Sequence, residues 1–515
     1  VKKIRSGELA ALPELAAERH GAVGVRIDRP LDAWPERGLR LDYVQFAELV
    51  SEAAGWLRQA GVGSGDRVAI VKANSPDIQV FLYACLRIGA VPALISASLG
   101  IESLQPMLHR LDPRLVVSDR ATLTGPLQRL SGRWTTIAVD GEVADALAPA
   151  DLAGHGAPAP VRPGPGVGLI LHTSGTTGVP KLVRHSIDSV RSGAFVGWHH
   201  RSLRYGPLRG SDTIAASLAW THVRAVFGLA YAIARGCRLV AMSDLDEQRA
   251  AVLLAEVRPT VFETHPNVLQ YWRGLPAHPQ RPFRDVRMFV STADAAHPAT
   301  IRALLSASSR RRPVFIQVYG MTELGPVAVR VIGRGAARRM KTARNAGLTI
   351  PFHSRTRIVD DSGRRVARGK AGIVQAKTSS CFQTYFGEEE RASQVLTDGW
   401  FTTADRGRRT WGGRLQLLDR QTDHLPGIDS AVGMEDVLLD RLPQLAEVVL
   451  VDLGKGRPTP VICTLQNRPL DMNEWRAGTL DLPVLAEPLV VPLESLPLTA
   501  TWKVRRFLLR ARLLG

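Results

Sequence analysis

The run Leu171-His172-Thr173-Ser174-Gly175-Thr176-Thr177-Gly178-Val179-Pro180-Lys181 combines glycines, hydroxyls and a closing lysine. Glycines let backbone N–H groups approach phosphate oxygens, hydroxyls donate to those oxygens, and a lysine adds charge. It is not a Walker A loop, because Pro180 precedes Lys181 and Leu182 follows it. On composition alone an ordinary Gly/Ser/Thr turn explains the run equally well. A second run, Val318-Tyr319-Gly320-Met321-Thr322-Glu323-Leu324-Gly325, closes a strand-like segment. Open α/β sheets bind ligands at such ends. Tyr319 offers a ring face to a base, Thr322 a hydroxyl to a phosphate, and Glu323 a hard oxygen ligand to Mg²⁺. Taken singly, each also reads as surface decoration. Lys503, with Arg505 and Arg506 behind it, reads in isolation as a solvated lysine in a basic tail.

Elements that could position these residues alternate along the chain. Arg67 to Val71 is a short β-rich run, Ser75 to Ile88 a helical pattern, and Val91 to Ile95 an apolar run. Leu115 to Val117 and Thr135 to Val139 are further strand candidates. The stretch Ala148 to Gly166 is rich in Pro, Gly and Ala and reads as a linker or surface loop. A second series follows, with strands at Gly168 to Leu171, Arg238 to Ala241, Arg287 to Val290 and Val314 to Val318, and a helix from Asp246 to Val257. Such alternation predicts parallel sheets covered by helices, here two related sheets packed together. After about residue 345, short strands and turns such as Thr356 to Gly363 predict a small β-rich subdomain. Beyond Arg420 a smaller α+β unit is expected, with a helix at Glu435 to Leu442 and a strand at Glu447 to Val451.

Composition narrows the class. The 515 residues are 45% hydrophobic and 22% charged, which excludes a disordered chain, a collagen-like fibre and a small disulfide scaffold. No apolar run is long enough for a membrane span, and the first residues lack a signal core, so a soluble cytoplasmic protein is expected. The balance of 66 Lys+Arg against 48 Asp+Glu gives +18. The densest basic stretch, Arg330, Arg334, Arg338, Arg339, Lys341 and Arg344, has no interleaved aromatic residue. It reads as a solvated loop rather than a nucleic-acid site. Cys85, Cys237, Cys381 and Cys463 have no metal or redox spacing and read as apolar fillers.

Together the two motifs resemble the adenylate-forming superfamily of acyl- and aryl-CoA ligases, luciferase and peptide-synthetase adenylation domains. The resemblance covers nearly the whole chain in order. Gly61 to Ala69 is similar to an early N-terminal segment of the family. Asp398-Gly399-Trp400-Phe401-Thr402-Thr403-Ala404-Asp405 resembles its ribose-binding motif, Leu418 to Asp423 its hinge, and Pro497 to Val504 its terminal lysine motif. The resemblance implies an α/β N-terminal adenylation domain, residues 1–420, and a mobile C-terminal lid, residues 421–515, that carries Lys503. It implies that Thr173, Ser174, Gly175, Thr176, Thr177, Gly178 and Lys181 wrap the ATP phosphates. Tyr319 and Gly320 would lie against adenine, Thr322 would touch the α-phosphate, and Glu323 would hold Mg²⁺. Asp405 would accept from both ribose hydroxyls, Arg420 would sit beside ribose and phosphates, and Lys503 would bridge the incoming carboxylate and the α-phosphate. His222 stands where acyl- and aryl-activating members carry a pocket histidine. Trp220, Phe227, Thr264, His265, Ser291 and Asp294 are further pocket candidates. Asp294 either contacts a polar substrate group or caps the next helix.

Four positions depart from the family pattern. Ala404 replaces a glycine, Trp502 replaces the glycine before the terminal lysine, and Pro426 and Asp429 stand where the hinge hairpin has a lysine and a glycine. An aspartate lacks glycine's backbone freedom and adds a side chain where a pantetheine arm would pass. The implied activity is an ATP- and Mg²⁺-dependent, AMP-forming ligase that activates an aryl or acyl carboxylate and passes it to a nucleophile. CoA, a carrier protein or an amine could accept. The alternatives are an ATP- and nitrite-dependent diazotase acting on an aromatic amine, an amide ligase, and a nucleotide-binding protein without turnover.

Overall fold

A computed structural model describes residues 8–154, 159–161, 164, 168–173, 179–196, 208–292, 294–420, 425, 428, 430–454, 456–499 and 503–514. The fold is α/β, with two large sheets packed through helices and a smaller α+β unit at the C-terminal end. The first sheet runs in the order Thr384–Tyr385, Leu182–Ser186, Gly168–His172, Val91–Ser96, Arg67–Lys72, Leu115–Ser118, Thr135–Ala138. Its five strands from Gly168–His172 onward are parallel. Nearly every residue of Arg67–Lys72 and Val91–Ser96 is buried, as expected of strands covered on both faces. The helix Asp77–Arg87 is buried on all sides, which its apolar residues all round the helix permit.

The second sheet has a parallel centre of Arg238–Met242, Thr213–Ser217, Val261–Thr264, Met288–Thr292 and Val314–Met321. Gly325–Gly333 and Asn345–Thr349 then pair antiparallel and carry the sheet into Leu415–Arg420, Trp400–Arg409, Gly372–Thr378 and Ser354–Val359. The expected β-rich subdomain is therefore continuous with this sheet. A glycine is required at 320, because a Cβ there would stand 2.4 Å from the Gly325 carbonyl oxygen of the paired strand. The C-terminal sheet comprises Leu445–Val451, Thr459–Thr464 and Leu489–Val490, packed with the helices Ala431–Arg441 and Arg506–Leu514. The largest apolar cluster lies between the two big sheets and includes the stacked rings of Trp34, Trp56 and Phe81.

The basic stretch is not a solvated loop. Arg330 lies in Gly325–Gly333, Arg334 and Arg338 lie in the helix Arg334–Arg338, and Arg344 is buried. Arg344 donates to the Leu418 carbonyl and lies 3.7 Å from both Asp419 and Asp436. Its neutralising acids come from distant segments, which local charge density does not reveal. All four cysteines are free, and three are fully buried. Among the described residues no helix is long and apolar enough to cross a membrane.

Candidate active site

The strands deliver their carboxyl ends to one place. Thr173 follows Gly168–His172, Ala219 to His222 follow Thr213–Ser217, and His265 follows Val261–Thr264. Asp294 follows Met288–Thr292, and Tyr319 to Met321 end Val314–Met321. A cavity of about 940 Å³ opens there, bounded in part by Asp294, Tyr319, Gly320, Asp405, Arg420 and Lys503. It has the size of a small-molecule or cofactor site.

Residues 174–178 lie outside the described residues, but the base of their loop is defined. The Lys181 amide donates to Thr173 Oγ1 at 3.1 Å, and the Thr173 amide donates to the Lys181 carbonyl at 3.1 Å. Lys181 Nζ donates to the Tyr385 hydroxyl at 3.3 Å and sits 4.6 Å from that ring's centroid. Tyr385 in turn donates to Glu323 Oε1 at 2.8 Å. Burial pulls the Lys181 ammonium below its ordinary range, partly offset by the Glu323 carboxylate. Burial, followed by Glu323, raises the Tyr385 phenol. Tyr385 was not identified from sequence, since nothing in Gln383-Thr384-Tyr385 marks it. Thr322 is held by the imidazole of His185, whose Nε2–H donates to the Thr322 carbonyl at 2.8 Å. Burial lowers His185 to about 4, so it stays neutral.

On the opposite wall Tyr319 donates to Asp405 Oδ2 at 2.6 Å, and Arg420 Nε stands 3.6 Å from Asp405 Oδ1. Asp405 is therefore an acceptor already oriented by a phenol and a guanidinium. Burial, then the neighbouring carboxylate, pushes the Tyr319 phenol well above its ordinary range, so it remains a donor.

Three histidines cluster at these strand ends. His222 caps the helix Val223–Arg235, with Nδ1 accepting from the Arg224 amide at 3.2 Å. That bond puts the imidazole proton on Nε2. His265 packs edge-on to it at 5.4 Å, accepts from the Ala219 amide at Nε2 and offers Nδ1 to the Thr292 carbonyl. His172 accepts from the Ser96 amide and donates to the Thr173 carbonyl. Burial, then the charges of His265, His172, Lys503 and Arg224, drives His222 well below its ordinary pKa. Burial lowers His265 to about 4.

Of the further pocket candidates, Thr264 Oγ1 donates to the Ser217 carbonyl and Ser291 Oγ to the Thr264 carbonyl, tying neighbouring strands. Phe227 packs against His185. Asp294 does not cap the next helix: His297 does, accepting from the Ala299 amide. Instead Asp294 faces Lys503, with Oδ2 3.6 Å from Nζ, and its carboxylate is still 45% accessible within the cavity. Burial would raise Asp294, but Lys503 and the Ala295 amide outweigh it and hold the group below its ordinary pKa. The Lys503 backbone is fixed by reciprocal bonds with Thr499. The C-terminal unit is further held by Arg302 to Asp440 at 2.7 Å and by His297 Nε2 donating to the Asp436 carbonyl at 3.0 Å. The expected hinge Gln421 to Asp423, together with Pro426, Asp429 and Trp502, lies outside the described residues.

Comparison with known proteins identifies the family. The family described as "AMP-binding enzyme" matches residues 17–386. The chain is 37% identical over 524 aligned residues to a 3-amino-2-hydroxy-4-methoxybenzoate diazotase of Streptomyces cremeus, covering 95% of this chain and 93% of that one. It is 27% identical to an indoleacetate–CoA ligase of Aromatoleum aromaticum, over 95% of this chain and 96% of the relative. An anthranilate CoA ligase, solved with anthranoyl-AMP, shares the fold with a TM-score of 0.82 at 18% identity, covering 98% of this chain and 96% of that one. The chain belongs to the AMP-binding, adenylate-forming family. It is an ATP-dependent, AMP-forming ligase.

Proposed function

We propose that the oxyanion this ligase adenylates is nitrite, and that the acceptor is the amino group of an aromatic acid. The observation that carries this reading is the 37% identity, across 95% of the chain, to a diazotase of an aminobenzoate. The N-terminal region, residues 1–420, holds the nucleotide, and residues 421–515 form the lid that brings in Lys503. Thr173 to Gly178 and Lys181 bind the phosphates, Tyr319 and Gly320 lie against the base, and Asp405 with Arg420 holds the ribose. Glu323 presents a buried carboxylate with one hydrogen-bond donor among the described residues, Tyr385, and fits a Mg²⁺ ion that would take its remaining ligands from phosphates and water. Such an ion supplies charge neutralisation at the phosphates.

A nitrite oxygen attacks the α-phosphorus, the bond to the β-phosphate breaks, and pyrophosphate leaves. Lys503 draws the two anions together and stabilises charge on the α-phosphoryl oxygens. The amine lone pair then attacks the nitrite nitrogen. The N–O bond to AMP breaks with its electron pair going to AMP. Asp294, beside Lys503, takes the proton released by the N-nitroso ammonium and returns it as the diazohydroxide loses water to give the diazonium. A carboxylate held below its ordinary pKa suffices, because the nitrosated nitrogen is strongly acidic.

A second reading, activation of the aryl carboxylate itself and transfer to CoA or an amine, is supported by the similarity to the indoleacetate–CoA ligase. Free CoA is expected to be a poor acceptor, given Pro426, Asp429 and Trp502. The test is pyrophosphate release with ATP, Mg²⁺ and a panel of aminoaryl acids, with and without nitrite, with products trapped by azo coupling and read by mass spectrometry. Parallel arms supply CoA. Nitrite-dependent release with a trapped diazonium is expected. Nitrite-independent release with efficient thioester formation overturns the reading in favour of the second.

A further inference from the structure

Beside the histidine cluster lies an ion pair that the adenylation chemistry does not use. Arg224 and Glu263 are paired through Nε and Nη2, the latter at 2.8 Å from Oε2. Their side chains are only 15% and 6% accessible. Each stands next to the site in sequence and in space: Arg224 donates its amide to His222, and Glu263 precedes Thr264 and His265 on the strand Val261–Thr264. The charges of Lys503 and Arg224 both bear on His222 and on His265. Lys503 and Arg224 are therefore both close to the two imidazoles.

Both members of the pair line a second cavity, of about 70 Å³, between the helix Val223–Arg235 and the second sheet. Its other walls are mostly apolar residues such as Leu218, Gly228 and Leu229. Trp220 and Gln79 also line it, and the Trp220 indole N–H and the Gln79 amide oxygen are buried without a hydrogen-bond partner among the described residues. Buried donors and acceptors of this kind ordinarily have partners. A buried ion pair also stabilises a fold little compared with apolar residues of the same volume. Both features point to a ligand.

We propose that the Arg224–Glu263 pair recognises a neutral, hydrogen-bonding substituent on the ring of the aromatic substrate, such as a hydroxyl or an amino group remote from the reacting one. The pair is neutral as a whole, so a charged substituent would leave a net charge buried. A hydroxyl or amine instead donates to Glu263, which accepts from Arg224 alone among the described residues, and leaves the pair intact. The volume fits this assignment. An apolar cavity that admits benzene measures about 150 Å³, so the space beneath the helix takes a substituent and a ring edge, not a second ring.

The inference rests on an aromatic substrate occupying the site described above, and holds whichever oxyanion is activated. It is tested by binding rather than turnover. Calorimetric titrations in the presence of a non-hydrolysable ATP analogue compare 3-hydroxybenzoate with benzoate and 3-methylbenzoate. In the wild type the hydroxy probe is expected to bind at least about tenfold more tightly, since a site built around polar partners rejects analogues lacking them. The double variant Arg224→Met with Glu263→Leu removes the pair without leaving an unpaired charge, and thermal melting checks its fold. It is expected to reverse the order in favour of 3-methylbenzoate. The variant Glu263→Gln, which keeps an acceptor, is expected to retain part of the preference. Equal binding of all probes by the wild type, no binding of any, or an unchanged order in a folded double variant each overturns the proposal. None of these results depends on nitrite, so failure of the diazotase reading is separately visible.

Discussion

Replacing Asp405 with alanine isolates the nucleotide half of the site. In the structure Asp405 takes one hydrogen bond from Tyr319 at 2.6 Å and faces Arg420 at 3.6 Å. With ATP bound, the two ribose hydroxyls would add two charge-assisted bonds, each contributing about 1.5–3 kcal/mol, for a ceiling of about 3–6 kcal/mol. The upper end is not expected, because Tyr319 already competes for Oδ2 and water can replace part of what is lost. About 3 kcal/mol, at about 1.4 kcal/mol per tenfold, weakens ATP roughly 10²-fold. Asp405→Asn keeps the shape and one acceptor and is expected to lose about tenfold. Tyr319→Phe removes the orienting donor but leaves both carboxylate oxygens and the ring face, so ATP binding should change by less than about 1 kcal/mol, the net worth of one hydrogen bond. Calorimetric titration of ATP into each variant gives the three numbers, with melting curves to check the fold. An unchanged affinity in a folded Asp405→Ala variant would refute the ribose assignment. Equal losses in Asp405→Ala and Tyr319→Phe would show that the pair is structural.

Lys503→Ala should slow pyrophosphate release by about 10²-fold or more, the scale of one lost transition-state donor, while ATP still binds; exchange at the wild-type rate would remove Lys503 from the chemistry. Stability should fall as pH is lowered. His185, His265 and His353 lie near 4 in the native state because of burial, against about 6.5 unfolded, so over that interval the unfolded chain binds more protons. Their contribution is complete above about pH 6.5 and declines toward pH 4, by up to about 1.4 kcal/mol per pH unit for each histidine. A urea midpoint that stays level from pH 7 to 5 would contradict this. Thr422→Pro, within the expected hinge, should fix the backbone there and slow turnover with little loss of ATP affinity; normal rates would move the hinge elsewhere.

What the sequence makes legible follows from how locally each feature is determined. Arg67 to Val71 and Val91 to Ile95 are readable as strands because burial on both faces demands an uninterrupted β-rich run. Tyr319, Glu323 and Asp405 are readable because they stand in compact motifs whose chemistry is carried by adjacent residues. The strand Val261–Thr264 does not announce itself, because its third residue is Glu263, and a carboxylate in so short a run reads as exposed. It is buried only because Arg224, 39 residues earlier, reaches it across the packed helix. Arg344 is hidden for the same reason, since its acids come from Asp419 and Asp436. His222 and His265 illustrate the limit from the other side. Both are pocket candidates by sequence, yet their division of labour depends on which backbone groups meet each ring. His265 has both nitrogens engaged by backbone, whereas His222 spends Nδ1 on capping and, among the described residues, keeps an Nε2–H that can donate. Residue type and spacing thus select the groups that can act on a nucleotide. Long-range pairing decides which of them are free to act, and whether a buried charge is a structural tie or a reader of the substrate.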